Sequence, residues 1–172
     1  LDAGPVGLRP LESKAGVKVM SMNFLLDSED RPIIWRGPLI GRAITQLWGD
    51  VMWGDLDYLL VDLPPGTSDA SLTTMQSLPV NGIIMVTPPQ SLASMIVRKS
   101  VNMAHAVKTP IIGVVENMAY FVCPDTGKQH FIFGPSHASE VALAANAPLL
   151  SQLPIDPQVT ALCDAGMIED IK

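Results

Sequence analysis

The sequence predicts an α/β fold whose sheet is mostly parallel and carries helices on both faces. Short apolar runs of about five to eight residues alternate with segments whose apolar residues recur at helical spacing, the order that builds βαβ units. Each apolar run also ends at Pro, Gly or a polar residue that stops a strand. Composition agrees: of 172 residues 48% are apolar and only 16% charged, the balance of a chain that buries a core. At this length a single domain is expected.

The elements follow in order. Residues 16–22, GVKVMSM, alternate in the manner of a short strand reached from a loop. Residues 27–38 are polar around Trp35, Arg36, Gly37 and Pro38, after which Leu39, Ala43, Ile44 and Leu47 recur at helical spacing. Residues 56–63, LDYLLVDL, read as a buried strand with a sharp exit at Pro64-Pro65-Gly66. Ser68 and Asp69 are good caps for a helix reaching Leu78. Residues 82–87 form a second short apolar run, stopped by Pro88 and Pro89. In 91–107 Leu92, Met95, Ile96, Met103 and Val107 mark one helical face, and 110–115, PIIGVV, has the composition of a buried strand. Gly113 within it signals close backbone approach by a neighbour. Residues 137–145 predict a helix, 149–153 a last strand and 156–165 a last helix.

Charge and cysteine content narrow the function classes. The formal charge is -6, and the sole adjacent cations are Arg98 and Lys99, so the basic footprint of a nucleic-acid binder is missing. Two cysteines, Cys123 and Cys163, make no disulfide framework, and the cytoplasm is the expected compartment. No run approaches the length of a membrane helix, and no signal peptide opens the chain. Neither nucleic acid nor membrane is an expected partner. The first residue is Leu, and 1–10 contain two Gly and two Pro without periodicity. That reads as a loop from within a longer protein.

Ligands of open α/β sheets gather beyond the carboxyl ends of the strands, so residues that follow strands are the functional candidates. Asp62 closes an apolar run in VDLPPGTSD. It reads as an acid that holds Mg²⁺ through water, with Gly66 letting the backbone approach a terminal phosphate, or alternatively as a loop cap. Asn117, in ENMAY, offers an amide for a base edge, or serves as a turn residue tolerant of left-handed backbone. Pro154 and Asp156, in LPIDP, could wall the same base or simply turn the chain. Cys123, in FVCPDTGKQHFIFG, reads as a small apolar residue or a soft-metal ligand, and a second thiol three residues on is replaced by Thr126. His130 and His137 fit no standard ligand spacing. Arg98 and Lys99 read as a solvated face, and Cys163 as core. The Trp35-Arg36-Gly37-Pro38 cluster reads either as loop packing or as a phosphate or intersubunit contact.

Taken together, GVKVMSMNFLL, IIWRGPLI, DYLLVDLPPGTSD, VTPPQSLA, GVVENMAYFVCP, IFGPSH and PLLSQLPIDP resemble the Mrp family of P-loop ATPases, in that family's order and spacing. The resemblance implies that residues 1–172 are the C-terminal portion of a single MinD-like nucleotide-binding domain. It implies ATP-binding homodimers that hold a [4Fe-4S] cluster and transfer it to apo iron-sulfur client proteins. Asp62 and Gly66 match the residues that sense Mg²⁺ and γ-phosphate, Asn117 the adenine-reading Asn, and Pro154 with Asp156 the loop over the base. Cys123 matches the first Cys of the CPxC motif through which subunits share a cluster. Two departures stand out. The GKGGVGKS-type loop is not in these residues and on this reading lies upstream, so the fragment alone is expected to bind ATP weakly and its sheet to be incomplete. CPxC has become Cys123-Pro124-Asp125-Thr126, leaving one thiol per subunit where a cluster usually takes four. The alternatives are a MinD- or ParA-like positioning ATPase, which would want an amphipathic or basic tail unlike DAGMIEDIK, and a dimeric scaffold that has lost cluster binding.

Overall fold

Apolar runs become sheet only where a neighbouring strand satisfies their backbone, and here that separates the runs that form strands from one that does not. The computed structural model describes residues 3–4, 7–25 and 38–171. Trp35, Arg36 and Gly37 lie outside them. The chain divides into two units, Leu1–Pro64 with Asp69–Leu78, and Pro65–Ser68 with Pro79–Lys172.

The first unit holds two minimal antiparallel ladders, β1 (Ala3–Gly4) with β2 (Gly7–Leu8), and β3 (Leu11–Glu12) with β4 (Lys18–Val19). The strand expected at 16–22 is thus only Lys18–Val19, and Met22–Leu25 coil into a 3₁₀ turn. Helices α1 (Pro38–Gly49) and α2 (Asp69–Ser77) pack on each other, burying Ala43, Ser71 and Thr74. A single parallel bridge ties Leu8 to the buried Val51: the Leu8 amide donates to Asp50 O at 3.1 Å, and the Met52 amide to Leu8 O at 2.9 Å. The strand expected at 56–63 does not form among the described residues, and Tyr58 and Leu60 are 87% and 88% exposed. LDYLLVDL supplies side chains for a core, but a strand also needs a ladder partner, and the described residues provide none.

The second unit contains the sheet. Its elements are β5 (Ile83–Thr87), α3 (Ser91–Ala106), β6 (Ile111–Val122), β7 (Gln129–His130), α4 (Ala138–Ala145), β8 (Leu149–Ile155) and α5 (Pro157–Asp164). β6 lies between β5 and β8 and is parallel to both, and the short β7 pairs antiparallel with its far end. The α/β class is as the sequence predicts, with a mixed sheet. Alternation decides the packing: Met85, Thr87, Val114 and Glu116 are buried on the face that receives α3 and α4, with Val101, Ala104, Val141, Ala142 and Ala145. On the same strands Ile84, Val86, Ile112 and Leu150 are exposed.

Helix α3 does not bury the face that its large side chains suggest. Leu92, Met95 and Ile96 are exposed, and Ser94, Val101 and Ala104 are buried instead. Small residues let the helix approach the sheet closely, and the Ser94 hydroxyl is satisfied by Gln90 O at 3.2 Å. Arg98, read as solvated, reaches Glu140 across the helix pair at 3.7 Å, an exposed contact of little energetic weight. Cys163 is exposed rather than core, since α5 buries none of its residues.

The neighbour that crowds Gly113 is a side chain, where the sequence predicts close backbone approach. β8 carries an extra residue, Leu150, where the register jumps between Val114 and Val115. A Cβ on Gly113 would collide with the Leu150 side chain. Gly113→Ala is therefore expected to lower stability by about 1–2 kcal/mol, because the half-exposed Leu150 has room to swing aside. A chemical-denaturation midpoint compared with wild type checks this.

Candidate functional site

The bulge in β6 and the carboxyl end of β8 adjoin along one rim, and three candidates stand there. Strand β6 does not stop at Val115 as expected but runs through Asn117 to Val122. Its register with β8 passes from Glu116↔Gln152 to Tyr120↔Pro154. Asn117, Met118 and Ala119 therefore face the single residue Leu153, a bulge that turns side chains out of the pleat. The left-handed residue at this break is Met118, with φ 57°, rather than Asn117. Left-handed backbone is strained for a residue with a long side chain, and the Asn117 side chain steadies it by accepting from the Met118 amide at 2.9 Å. Asn117 itself is exposed at the crest.

Pro154 pairs with Tyr120 inside β8 instead of turning the chain. Asp156 leaves the strand and caps α5, accepting from the Gln158 amide at 2.8 Å, with Pro157 in the first helical turn. Asn117, Pro154 and Asp156 are thus gathered by one ladder and its exit. An exposed amide, a rigid ring and a carboxylate on such a rim can hydrogen-bond and flank a planar, edge-presenting ligand.

Cys123 stands at the far end of the same strand. A tight turn follows it: its amide donates to Lys128 O at 2.9 Å, and the Gly127 amide donates to Cys123 O at 2.8 Å. The Thr126 hydroxyl, then the amides of Thr126 and Asp125, lower the thiol pKa, with burial opposing weakly. Hydrogen bonds to sulfur favour the thiolate, the form that binds metal or attacks electrophiles. The residue that replaces the second thiol thus helps keep the first as thiolate. His130 is exposed on β7, and His137 meets Glu140 at 3.3 Å. Among the described residues no three His, Cys, Asp or Glu group to hold a metal ion.

Asp62 belongs to the first unit, on the irregular and exposed 56–63 segment, whereas Gly66 belongs to the second. Gly66 has φ +79°, and a Cβ there would stand an ordinary 3.6 Å from Ile96 Cγ2. Backbone conformation, rather than lack of space, is what asks for glycine at this position.

The sequence reading passed over Glu116. Its side chain is 0% exposed and lies in a row with Thr87 and Gln152 across the three parallel strands. Oε1 accepts from the Ser136 hydroxyl at 2.8 Å, and Oε2 from Gln152 Nε2 at 2.6 Å. An acid closing the run IIGVV is the same signal that singled out Asp62, and the adjacent Asn117 drew the attention instead. Gln90, just beyond β5, holds a buried Oε1 with no hydrogen-bond partner among the described residues.

A family described as NUBPL iron-transfer P-loop NTPase, of the ParA group, matches residues 2–171. A protein of Saccharolobus solfataricus called iron-sulfur cluster carrier protein is 44% identical over 96% of this chain and 56% of its own length. One of the same name from Aquifex aeolicus is 45% identical over 91% of this chain and 43% of its own length. The chain thus spans about half the length of these curated relatives. A solved structure of a nucleotide-binding protein from Archaeoglobus fulgidus, in complex with ADP, superposes with a TM-score of 0.83 at 41% identity, covering 99% of this chain and 66% of that one.

The thiol environment makes a signed expectation. Because the folded pKa of Cys123 is lowered, its thiolate persists to lower pH than in an unfolded chain. The associated stability is present above the unfolded pKa and is lost as pH falls through the folded one. In a Cys163→Ser background, the pH midpoint of iodoacetamide alkylation should lie below the ordinary cysteine value and move upward in Thr126→Ala. An unchanged midpoint would show that Thr126 does not set the thiol.

Proposed function

Since the chain belongs to the NUBPL iron-transfer P-loop NTPase family, we propose that it supplies the base-reading rim and the cluster-binding thiol of an ATP-dependent iron-sulfur cluster carrier. What supports this reading is that strand β6 presents Asn117 at its bulge and leads into Cys123 just past its end. Asn117 reads the adenine edge and Pro154 and Asp156 flank it, while Gly66 lets the backbone approach a terminal phosphate. ATP binding and hydrolysis reshape a homodimer and so alter its grip on the cluster, which passes to apo client proteins. Mg²⁺ takes one or two carboxylates, water and substrate phosphate, and Asp62 offers one exposed carboxylate for it. When bound it neutralises phosphate charge. The compartment is the cytoplasm; among the described residues no helix is long and apolar enough to cross a membrane.

The cluster is cargo, held by thiolate. Two copies bring two Cys123 residues, and a [4Fe-4S] cluster usually takes four thiolates, so the remaining ligands come from elsewhere. Thr126 in place of the second Cys favours one other reading, a dimeric scaffold that keeps the nucleotide switch and has lost the cluster.

The test uses protein expressed from the complete reading frame. Anaerobic reconstitution should give cluster charge-transfer absorbance and bound iron that Cys123→Ala abolishes. Absorbance and iron unchanged by that substitution reject Cys123 as a ligand, and no cluster in wild type selects the scaffold. ATP turnover should fall roughly a hundredfold in Asp62→Asn, the scale of removing one preorganised electrostatic contact.

A further inference from the structure

Asn117 is presented by a bulge, and a bulge aims its side chain only as well as its two ends are fixed. The upper end is held by the Tyr120↔Pro154 and Phe121↔Ile155 pairing. The lower end is Glu116, opposite Gln152, and side chains reinforce the ladder there. Ser136 donates to Glu116 Oε1 at 2.8 Å, and Gln152 Nε2 donates both to Glu116 Oε2 at 2.6 Å and to Ser136 Oγ at 3.1 Å. Ser136 Oγ also accepts from the Ala138 amide at 3.2 Å, at the start of α4. The polarity closes: the hydroxyl hydrogen goes to the carboxyl, the Gln152 nitrogen spends its hydrogens on the carboxyl and the hydroxyl, and the hydroxyl oxygen receives two donors. Each group has one orientation in which all these bonds form.

We infer that Glu116 is a positioning residue for the base-reading Asn117: with Gln152 and Ser136 it locks the lower end of the bulge, and adenine selectivity depends on that lock. The carboxyl is wholly buried beneath two exposed partners, so it does not touch the nucleotide. A buried carboxyl without a cation is costly in a core that an apolar residue could fill. Its bonds instead join three segments at one point: the bulge, the β8 segment leading to Pro154 and Asp156, and the start of α4. Releasing it frees Asn117 and the β8 exit to move apart, so base recognition weakens while phosphate contacts, made elsewhere, are untouched.

The inference rests on the base-reading role proposed above, and the experiment separates the two. Protein from the complete reading frame is titrated with ADP, GDP and inorganic pyrophosphate by calorimetry. Wild type should prefer ADP. Gln152→Ala and Glu116→Ala should weaken ADP about five- to tenfold, the worth of one or two hydrogen bonds, and lower the ADP-to-GDP ratio by a similar factor, with pyrophosphate unchanged. Glu116→Gln keeps an acceptor for Gln152 Nε2 but turns the oxygen that accepts from Ser136 into a donor, and should lower the ADP-to-GDP ratio roughly threefold, the worth of one hydrogen bond. The double change Glu116→Gln with Gln152→Glu exchanges donor and acceptor across the pair and should recover most of the selectivity. Loss of ADP, GDP and pyrophosphate binding in parallel, or an ADP-to-GDP ratio within twofold of wild type in every single variant that folds, overturns the positioning role. If Glu116→Ala fails to fold, Gln152→Ala and Glu116→Gln decide, Gln152 being at the surface. Wild type that shows no adenine preference refutes the base-reading role itself, and the positioning role with it.

Discussion

Strand β6 is hydrogen-bonded along both edges, to β5 and β8, and meets β7 at its end. A strand held in this way cannot slip by one residue without turning its buried set, Val114 and Glu116, toward solvent. The rest of the second unit is arranged about that constraint. α3 and α4 pack where β6 presents its buried side chains, and the rim lies where β6 and β8 fall out of step. A strand of twelve residues would be stiff and featureless without that step. The bulge at Asn117–Ala119 breaks that regularity and leaves the Asn117 side chain exposed.

The two chemistries of the candidate site differ in how they are held. The rim is held by ladder pairing and by the hydrogen bonds that the exposed Ser136 and Gln152 make to the buried Glu116 carboxyl. Cys123 is fixed by a turn of a few residues, so its surroundings are local and its thiolate is supported by the Thr126 hydroxyl and nearby amides. On the function proposed above, base recognition demands geometry between strands, whereas a cargo thiol demands exposure and a favoured charge state.

Much of this was legible in the residues. The alternation of apolar runs with helical spacing gave the class, and Pro and Gly punctuation put most boundaries within a few residues. Gly113 announced its crowded neighbour, and Asp156 announced a helix start. The failures share a cause. Residues 56–63 have strand composition but no ladder partner among the described residues, and α3 buries Ser94, Val101 and Ala104 rather than its larger side chains because close approach outweighed side-chain size. In both cases a local property was read where a neighbour decides.

What the sequence determined by itself is what depends on a residue and its near neighbours: the periodicities, the caps, the strand stops, the lone thiol with Thr126 three positions on, and the ordered motifs that carry the family. What only the tertiary structure decided is what depends on pairing between distant segments. The continuation of β6 past Val115, the left-handed turn at Met118 and the burial of Glu116 beneath Ser136 and Gln152 all arise from the register with β8. Register is a relation between strands more than thirty residues apart in the chain, and no local pattern encodes where one ladder will carry extra residues.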